Sequence, residues 1–381
     1  MGENLKAKKR IYFENLDGLR FFCFLAVFLF HSFHTDNPQI ISNSAFGFIK
    51  HDIFGNGFLG VNFFFVLSGF LITTLLIEEK KLNGKINIPK FWVRRILRIW
   101  PLYFLCIFFG FVLFPFAKSL AGGSPQESAN IWYYLGFINN FDYIKKGLPD
   151  APGLGVLWSV AIEEQFYVVW PVILSFFTLK NYWIPFVIII CGSLVFRSMY
   201  DIERLHEMHT LSCIGDMAIG AFGAWLFNLK PKFSNLIIKM PRWQIISVYI
   251  ILAAIFLFRD EFLLSTYFLR IFERAFISTI ILIVILEQCF SENSFYKMNS
   301  FKAVSRLGIF TYGLYCLHFI IISAVAATLK KLGFENHLWQ VLFLQTIISL
   351  TITIIAAKLS FKYFENPFLK IKDRFGYILK K

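Results

Sequence analysis

Ten apolar segments, most of them close to the length that a membrane-spanning helix needs, constrain the fold of this chain more than any other feature. A bilayer core about 30 Å thick requires about 20 apolar residues per helix, because unpaired backbone groups are not tolerated in lipid. The 381 residues are 57% hydrophobic and only 16% charged, whereas soluble domains contain about 45–50% apolar and about 25% charged residues. These figures predict an all-α, polytopic integral membrane protein of about ten transmembrane helices.

The candidate spans run through the whole chain, and no linker divides it into separate soluble domains. They are Leu19–His34, Gly57–Ile77, Ile99–Phe116, Val156–Phe177, Tyr182–Met199, Thr210–Phe227, Trp243–Phe258, Tyr267–Gln288, Leu307–Thr328 and Leu338–Ser360. The first is short, the sixth contains Asp216, and the eighth begins with Arg270, Glu273 and Arg274. We expect one membrane-embedded domain over residues 1–381.

The distribution of basic residues predicts the orientation of the chain. Most of the 38 Lys and Arg residues fall in segments on the side of the two termini, and basic residues are retained on the cytoplasmic side of a membrane. We therefore expect both termini to be cytoplasmic. Cytoplasmic loops also account for the net charge of +14, so no nucleic-acid partner is predicted. The six cysteines stand singly, and no spacing typical of metal ligands occurs, so no metal is predicted.

Arg20 and His31 are the first ionisable residues that lipid should exclude. Eleven residues at 100° each place the two side chains on one helix face, about 16 Å apart. Desolvation near the centre of the membrane favours a neutral imidazole, which can accept a proton. His31 is therefore a candidate base, aligned with a cation at the cytoplasmic rim. The alternative is a structural histidine that bonds to a neighbouring helix.

Three arginines, Arg94, Arg95 and Arg98, precede the third span on its cytoplasmic side. Arg94 and Arg98 are neighbours on one helix face, and guanidinium groups suit bidentate contacts with phosphate. The alternative partner is the anionic head groups of lipids. By charge alone, the lipid head groups are favoured over a phosphate-bearing substrate.

A polar stripe interrupts the fourth span. Ser159, Glu163 and Tyr167 recur every four residues and share one helix face, and Glu164 adds a second carboxyl group. A carboxylate at this depth can orient His31, hold an acceptor hydroxyl or pair with an arginine. A purely structural ion pair is the alternative.

Two small-residue patterns predict close packing of helices. One is the run 57–70, in which Ser68 is either a hydroxyl ligand or bonds its own backbone. The other is the sixth span, where Gly220 follows Asp216 and the aspartate requires a partner. His318 in the ninth span is expected to be satisfied within the helix bundle.

These motifs, in this order, resemble the bacterial membrane acyltransferase-3 family over residues 16–368. The resemblance rests on Leu16-Asp-Gly-Leu-Arg20 followed after ten residues by His31, on Gly60–Phe70, on Arg94-Arg95-x-x-Arg98-x-x-Pro101, on Trp158–Tyr167, on Tyr312–His318 and on Phe364–Phe368. It implies a multi-pass protein of the bacterial cytoplasmic membrane. The implied activity is transfer of an acyl group, usually acetyl, from cytoplasmic acyl-CoA to a hydroxyl of a sugar or cell-envelope glycan.

The resemblance also implies roles for individual residues. The family's essential Arg and His correspond to Arg20 and His31, and its arginine-rich motif corresponds to Arg94, Arg95 and Arg98. These arginines are candidate ligands of acyl-CoA, which is a donor substrate rather than a permanently bound cofactor. Many relatives carry a C-terminal extracytoplasmic domain, and we expect none after Pro367 here. The expected partners are acyl-CoA, a glycan or lipid-linked sugar acceptor and membrane lipids.

The chemistry of the reaction is consistent with these assignments. A sugar hydroxyl is too weakly acidic to attack unaided, so an imidazole base at His31 suits acyl transfer. Glu163 lies towards the outer side, where a glycan would arrive, and is the third candidate catalytic residue. Ser68, Glu164 and Tyr167 are candidates for contacts with substrate. Direct attack and a covalent acyl relay both remain open.

Two other functions fit parts of the sequence. A secondary transporter would also carry intramembrane His, Glu and Arg residues, but no internal repeat pairs the two halves of the chain. A non-catalytic binder of lipid-linked glycans would need the Arg and His without the chemistry. Binding or hydrolysis of acetyl-CoA distinguishes the three.

Overall fold

The computed structural model describes residues 12–376, and every regular element within that range is helical. Ten helices contain at least 14 residues. They are α1 (Glu14–Phe30), α2 (Leu59–Asn83), α3 (Ile88–Phe108), α4 (Leu157–Phe176), α5 (Trp183–Met199), α6 (Thr210–Leu229), α7 (Arg242–Phe262), α8 (Tyr267–Phe290), α9 (Thr311–Lys331) and α10 (Thr346–Leu359). The all-α prediction is confirmed for the described residues.

Shorter helical segments extend or connect these ten helices. Wide π-helical turns at Phe109–Leu113, Gln340–Gln345 and Ser360–Glu365 extend α3 and flank α10. The remaining short segments are Pro38–Ile41, Ser44–Gly47, Phe48–Ile53, Phe114–Leu120, Ile131–Leu135, Asn139–Lys146, Pro152–Gly155, Leu179–Asn181, Glu203–Met208, Pro231–Ile238, Met298–Ser300, Lys302–Gly308, Asn366–Lys372 and Asp373–Phe375. The segment that joins α3 to α4 therefore folds partly as short helices.

Seven helical stretches within residues 12–376 are long and apolar enough to cross a membrane. They are Leu59–Asn83, Ile88–Leu120, Pro152–Phe176, Leu179–Met199, Thr210–Leu229, Thr311–Lys331 and Gln340–Phe375. This set makes the chain a multi-pass membrane protein. The other three long helices, α1, α7 and α8, stand where spans were predicted but lie outside this set, so the count of ten spans stays a prediction.

The helices define two ends of the bundle. At the inner end, which the sequence predicts to be cytoplasmic, the start of α1 meets the end of α8, where Asn15 donates a hydrogen bond of 2.8 Å to the Gln288 carbonyl oxygen. At the outer end, the segment after α1 meets the segment after α9, where Asn37 donates to the Glu335 carbonyl oxygen at 3.2 Å. These contacts show that α8 runs opposite to α1, whereas α9 runs in the same direction as α1.

Glycines bring α2 and α6 into direct backbone contact. A Cβ atom added to Gly69 would lie 1.9 Å from the Met217 carbonyl oxygen, and one added to Gly220 would lie 2.0 Å from the Val66 carbonyl oxygen. No larger side chain fits at either position without movement of the backbone. The structure thus confirms the close approach that the small-residue pattern predicts.

Trp170 of α4 packs against both α5 and α2. The Trp170 ring stacks between Phe166, at 4.5 Å, and Phe186, at 5.3 Å between centroids. Its indole N–H donates to the Thr73 hydroxyl at 2.9 Å, so the large side chain is both buried and paired. Trp170 therefore fixes the rotation of α4, which turns the polar stripe of that helix towards α2.

Candidate active site

A cavity of about 570 Å³ lies among α1, α2, α3, α4 and α9. Six of the residues that the sequence singles out line it: Arg20, Ser68, Arg95, Arg98, Glu163 and Tyr167. Ser159 lines it as well, so the whole predicted stripe of α4 faces one space. The fold thus gathers residues from four different helices around a single candidate site.

Ser68 connects the polar residues of two helices. Its hydroxyl donates to Glu163 Oε1 at 2.7 Å, and its oxygen lies 2.8 Å from the Tyr167 hydroxyl. A serine hydroxyl carries one proton, so with that proton on Glu163 the phenol of Tyr167 is the donor of the second bond. Ser68 bonds across the helix interface and not to its own backbone, which leaves the hydroxyl-ligand alternative open.

Two arginines of α3 present unpaired donors to the cavity. The Nε of Arg95 is buried without a hydrogen-bond partner among the described residues, and its guanidinium lies 5.7 Å above the Tyr167 ring. Arg98 lies deep in the bundle yet has an accessible side chain, because it faces the cavity. Both cations can therefore contact an anionic ligand without first breaking an ion pair between described residues.

Arg20 reaches the cavity from α1. Its guanidinium bonds to the Asp17 carboxylate, one turn earlier on the same helix, and the Tyr12 hydroxyl donates to the other oxygen of that carboxylate. All three residues line the cavity at its inner end. The Asp17 carboxylate therefore holds Arg20 in place while part of the guanidinium remains available.

Arg94 and Glu164 point away from the cavity. Arg94 donates to Glu79 Oε2 at 3.1 Å and to the Phe375 carbonyl oxygen at 2.9 Å. Glu164 accepts a bond of 2.9 Å from the Trp100 indole N–H. Both residues precede or follow a cavity residue by one position, which turns a helical side chain by 100°. The structure thus separates them from the neighbours with which they were grouped.

His31 follows the last residue of α1, at the outer end of the bundle, and does not line the cavity. Its ring centroid lies 4.9 Å from that of Phe319 and 5.3 Å from that of His318. His318 in turn contacts Tyr315, whose ring lies 5.7 Å away and lines the cavity. Tyr315 and His318 therefore connect the cavity wall with His31.

Other cavity residues were not singled out as site residues from the sequence. Glu365 lines the inner part and accepts a bond of 2.9 Å from the Ser360 hydroxyl. Tyr315 closes the outer part, where its hydroxyl lies 2.7 Å from that of Ser159. Both belong to motifs that carry the family resemblance. Ionisable or hydroxyl groups within those motifs are the signal that could have identified them.

A second buried polar network lies outside the cavity and explains the charged residues of α6 and α8. Asp216 accepts from Arg274 Nε and from the Ser278 hydroxyl, each at 2.8 Å. Arg197 pairs with Glu273 at 3.0 Å, and the charges of this network are close to balance. Asp216 therefore has the partner that its position requires, and loss of either partner would leave an uncompensated buried charge.

The fold and the cavity define a class: a helical, multi-pass membrane protein with an arginine-lined internal site that also contains a carboxylate and hydroxyl groups. Within that class, the chain belongs to the acyltransferase-3 family, whose family model, described as an acyltransferase domain, matches residues 13–358. The match confirms the resemblance that the motifs indicate.

Curated relatives of the chain are named as O-acetyltransferases. The peptidoglycan O-acetyltransferase OatA of Listeria monocytogenes is 28% identical over 388 residues, which cover 95% of this chain and 56% of OatA. YrhL of Bacillus subtilis, whose name as a peptidoglycan O-acetyltransferase is provisional, is 27% identical over 95% of this chain and 56% of its own length. A Staphylococcus aureus (strain COL) protein with a provisional O-acetyltransferase name is 30% identical over 96% of this chain and 58% of its own.

The chain spans just over half the length of these relatives. No solved structure matches it.

Proposed function

We propose that this protein transfers an acetyl group from acetyl-CoA to a hydroxyl of a cell-envelope glycan. The family match and the names of the relatives support acyl transfer. The observation that carries the proposal is the shared cavity, in which the arginines lie beside the cluster of Glu163, Ser68 and Tyr167. Such a cavity combines groups that bind a phosphate-bearing donor with groups that bind hydroxyls.

The donor occupies the inner part of the cavity in this proposal. Coenzyme A carries a pyrophosphate and a 3′-phosphate, and Arg20, Arg95 and Arg98 offer guanidinium forks to them. The two arginines of α3 are the stronger candidates, because no ion pair with a described residue occupies them. Arg94 is already paired with Glu79, and we assign it a supporting role in holding the start of α3.

His31 acts as the general base on the acceptor side. It removes the proton of the attacking hydroxyl while the hydroxyl oxygen bonds to the acyl carbon; the carbon–sulfur bond then breaks and the coenzyme A thiolate leaves. His31 lies at the outer end, where a cell-envelope glycan would arrive. Glu163 and Tyr167 contact the acyl group or the acceptor from the cavity wall, which also contains Tyr315.

The proposed location is the bacterial cytoplasmic membrane, with both termini in the cytoplasm. Acyl-CoA is made in the cytoplasm and cell-envelope glycans lie outside, so a protein between the two must accept substrates from opposite sides. The cavity near the inner end and His31 near the outer end suit that requirement. Secondary transport, the alternative from the sequence, has no support from the relatives reported above.

Acetyl-CoA binding and turnover by the purified protein test the proposal. We expect saturable binding of acetyl-CoA in neutral detergent and release of coenzyme A that increases when peptidoglycan fragments are added. Arg98→Gln should weaken binding, whereas Lys90→Gln should not, since Lys90 is exposed on the same helix. If the monodisperse protein neither binds acetyl-CoA nor releases coenzyme A, the proposed transfer from acetyl-CoA is refuted.

A further inference from the structure

His318 has one ring nitrogen that the fold leaves unpaired. Its Nδ1 lies 2.6 Å from the Tyr315 backbone carbonyl oxygen, and a carbonyl oxygen only accepts, so Nδ1 carries the proton. In the neutral ring, Nε2 then holds a lone pair. Nε2 is buried without a hydrogen-bond partner among the described residues, and the side chain is 0% exposed. An unsatisfied acceptor at this depth requires an explanation.

The ring of His31 is placed to supply the missing donor. A ring nitrogen lies about 1.15 Å from its centroid, so an end-to-end N–H···N bond of about 2.9 Å separates two imidazole centroids by about 5.2 Å. The observed separation of the His31 and His318 centroids is 5.3 Å, with the rings tilted by 46°. The separation of the two rings is therefore that of a hydrogen-bonded imidazole pair, and the bond requires the His31 ring to turn one N–H towards Nε2 of His318.

The phenyl rings beside His31 offer no acceptor. Phe30 and Phe319 contact it at 4.9 Å each, and both are hydrocarbon. Accessibility also separates the two histidines, because His31 is partly accessible and His318 is fully buried. His31 is therefore the member of the pair that can meet a substrate, and His318 can act only through it.

We propose that His318 is a positioning residue for His31. Its Nε2 accepts the N–H of one His31 nitrogen, which leaves the other nitrogen unprotonated and turned towards the accessible side of the ring. This inference rests on the proposed function, in which His31 is the base. When His31 takes the proton of the attacking hydroxyl, it becomes an imidazolium whose first N–H still bonds to His318, and the proton then passes to the departing thiolate.

Substitutions of His318 separate the hydrogen bond from packing. His318→Asn can keep a donor towards the Tyr315 carbonyl but has no acceptor at the Nε2 position, and His318→Met fills similar space without an acceptor. His318→Gln places an amide oxygen near the Nε2 position. Phe319→Leu is the matched control, since Phe319 touches the His31 ring without a hydrogen bond.

The measurement is release of coenzyme A by the full-length protein in neutral detergent, with acetyl-CoA as donor and peptidoglycan fragments as acceptor. We expect His318→Met and His318→Asn to lower kcat by about 10–100-fold, as losses of supporting hydrogen bonds commonly do, with the KM for acetyl-CoA changed less than about twofold. His318→Gln should recover most of the lost kcat. Phe319→Leu should keep kcat within about threefold of the wild type.

Wild-type kcat in His318→Asn would overturn the inference. An equal loss of kcat in His318→Asn, His318→Gln and Phe319→Leu would also overturn it, because such a result would show that His318 acts only through packing. If His318→Met does not purify as a monodisperse protein, the comparison of Asn with Gln decides. The proposed function is tested separately. Full transfer by His31→Ala would show that His31 is not the base. An inactive His31→Ala variant beside fully active His318 variants would refute only the positioning role of His318.

Discussion

Neighbouring residues on one turn of α3 have different partners, and that difference separates the arginines that can bind a ligand from the one that supports the fold. Arg94 is engaged by Glu79 and by a backbone carbonyl. Arg95 and Arg98 line the cavity, and no described carboxylate pairs with either. The guanidinium groups of these two residues are therefore available to an anionic ligand.

Replacement of Arg95 or Arg98 tests this availability. Each charge-assisted contact contributes about 1.5–3 kcal/mol, so we expect Arg95→Gln and Arg98→Gln each to raise the Kd of acetyl-CoA about tenfold or more, with the KM of the acceptor nearly unchanged. Arg→Lys variants should recover little, because the fork is lost. The measurement is acetyl-CoA binding in neutral detergent, where anionic lipid is absent. Unchanged affinity in every variant would remove these arginines from the donor site.

His31 and His34 offer a matched pair of imidazoles at the end of α1. His31 contacts the buried His318, whereas His34 is exposed and its ring lies 6.0 Å from that of Phe319. We expect His31→Ala to abolish acetyl transfer while the protein still inserts and purifies, and His34→Ala to keep most of the activity. The measurement is acetyl transfer by each purified variant. An equal loss of activity in both would contradict the assignment of His31 alone as the base.

At the scale of the helices, the contact between α2 and α6 decides how the cavity wall is built. Gly69 and Gly220 let two backbones touch, and Asn62 of α2 donates to Asp216 of α6 at 3.4 Å. Ser68 stands next to Gly69, so the position of its hydroxyl against Glu163 depends on this close approach. Small residues in these helices therefore serve the site indirectly.

A methyl group added at this contact should destabilise the fold. Gly220→Ala places Cβ 2.0 Å from the Val66 carbonyl oxygen, and overpacking of this kind costs about 1–3 kcal/mol or more. Gly192→Ala on α5 is the control, since nothing lies within 4 Å of the added atom. Thermal unfolding in detergent should show a lowered Tm for Gly220→Ala alone. Equal Tm values for the two variants would contradict the observed contact.

Across the whole molecule, the buried ion-pair network joins parts of the chain that are distant in sequence. It contains Arg197 of α5, Asp216 of α6, Arg259 of α7 and Glu273 of α8, with Glu207 from the short helix Glu203–Met208. Charges of both signs are close together, and all but the partly exposed Glu207 are almost fully shielded from solvent. The outer half of the bundle is held by this network, and the cavity lies elsewhere.

Removal of one partner should cost far more than removal of both. Arg274→Met leaves the Asp216 carboxylate without its ion-pair partner, and breaking a buried pair costs about 3–5 kcal/mol. The double variant Asp216→Asn/Arg274→Met should be less destabilised, because no unpaired charge remains. Arg270→Gln breaks the solvent-screened pair with Asp201 and should change the stability little. Unfolding in detergent measures all three, and similar losses in the single and double variants would contradict the pairing.

Local pattern was sufficient to locate the long helices and the faces of the α4 stripe. Apolar length and the period of 3.6 residues are encoded in neighbouring residues, since lipid requires each span to satisfy its own backbone. The sequence therefore predicted that Ser159, Glu163 and Tyr167 share one face and that Asp216 needs a partner. The same local information predicted close packing at the glycines.

Only the packed structure decided which residues meet. Arg274 pairs with Asp216 across 58 positions and Ser68 with Glu163 across 95, and a local pattern does not encode the rotation of one helix against another. That rotation turned Arg95 and Arg98 into the cavity and Arg94 and Glu164 away from it. It also left the ring of His318, with its unpaired Nε2, 5.3 Å from that of His31, because the position of a side chain in a helix bundle is set by long-range contacts that only the complete fold supplies.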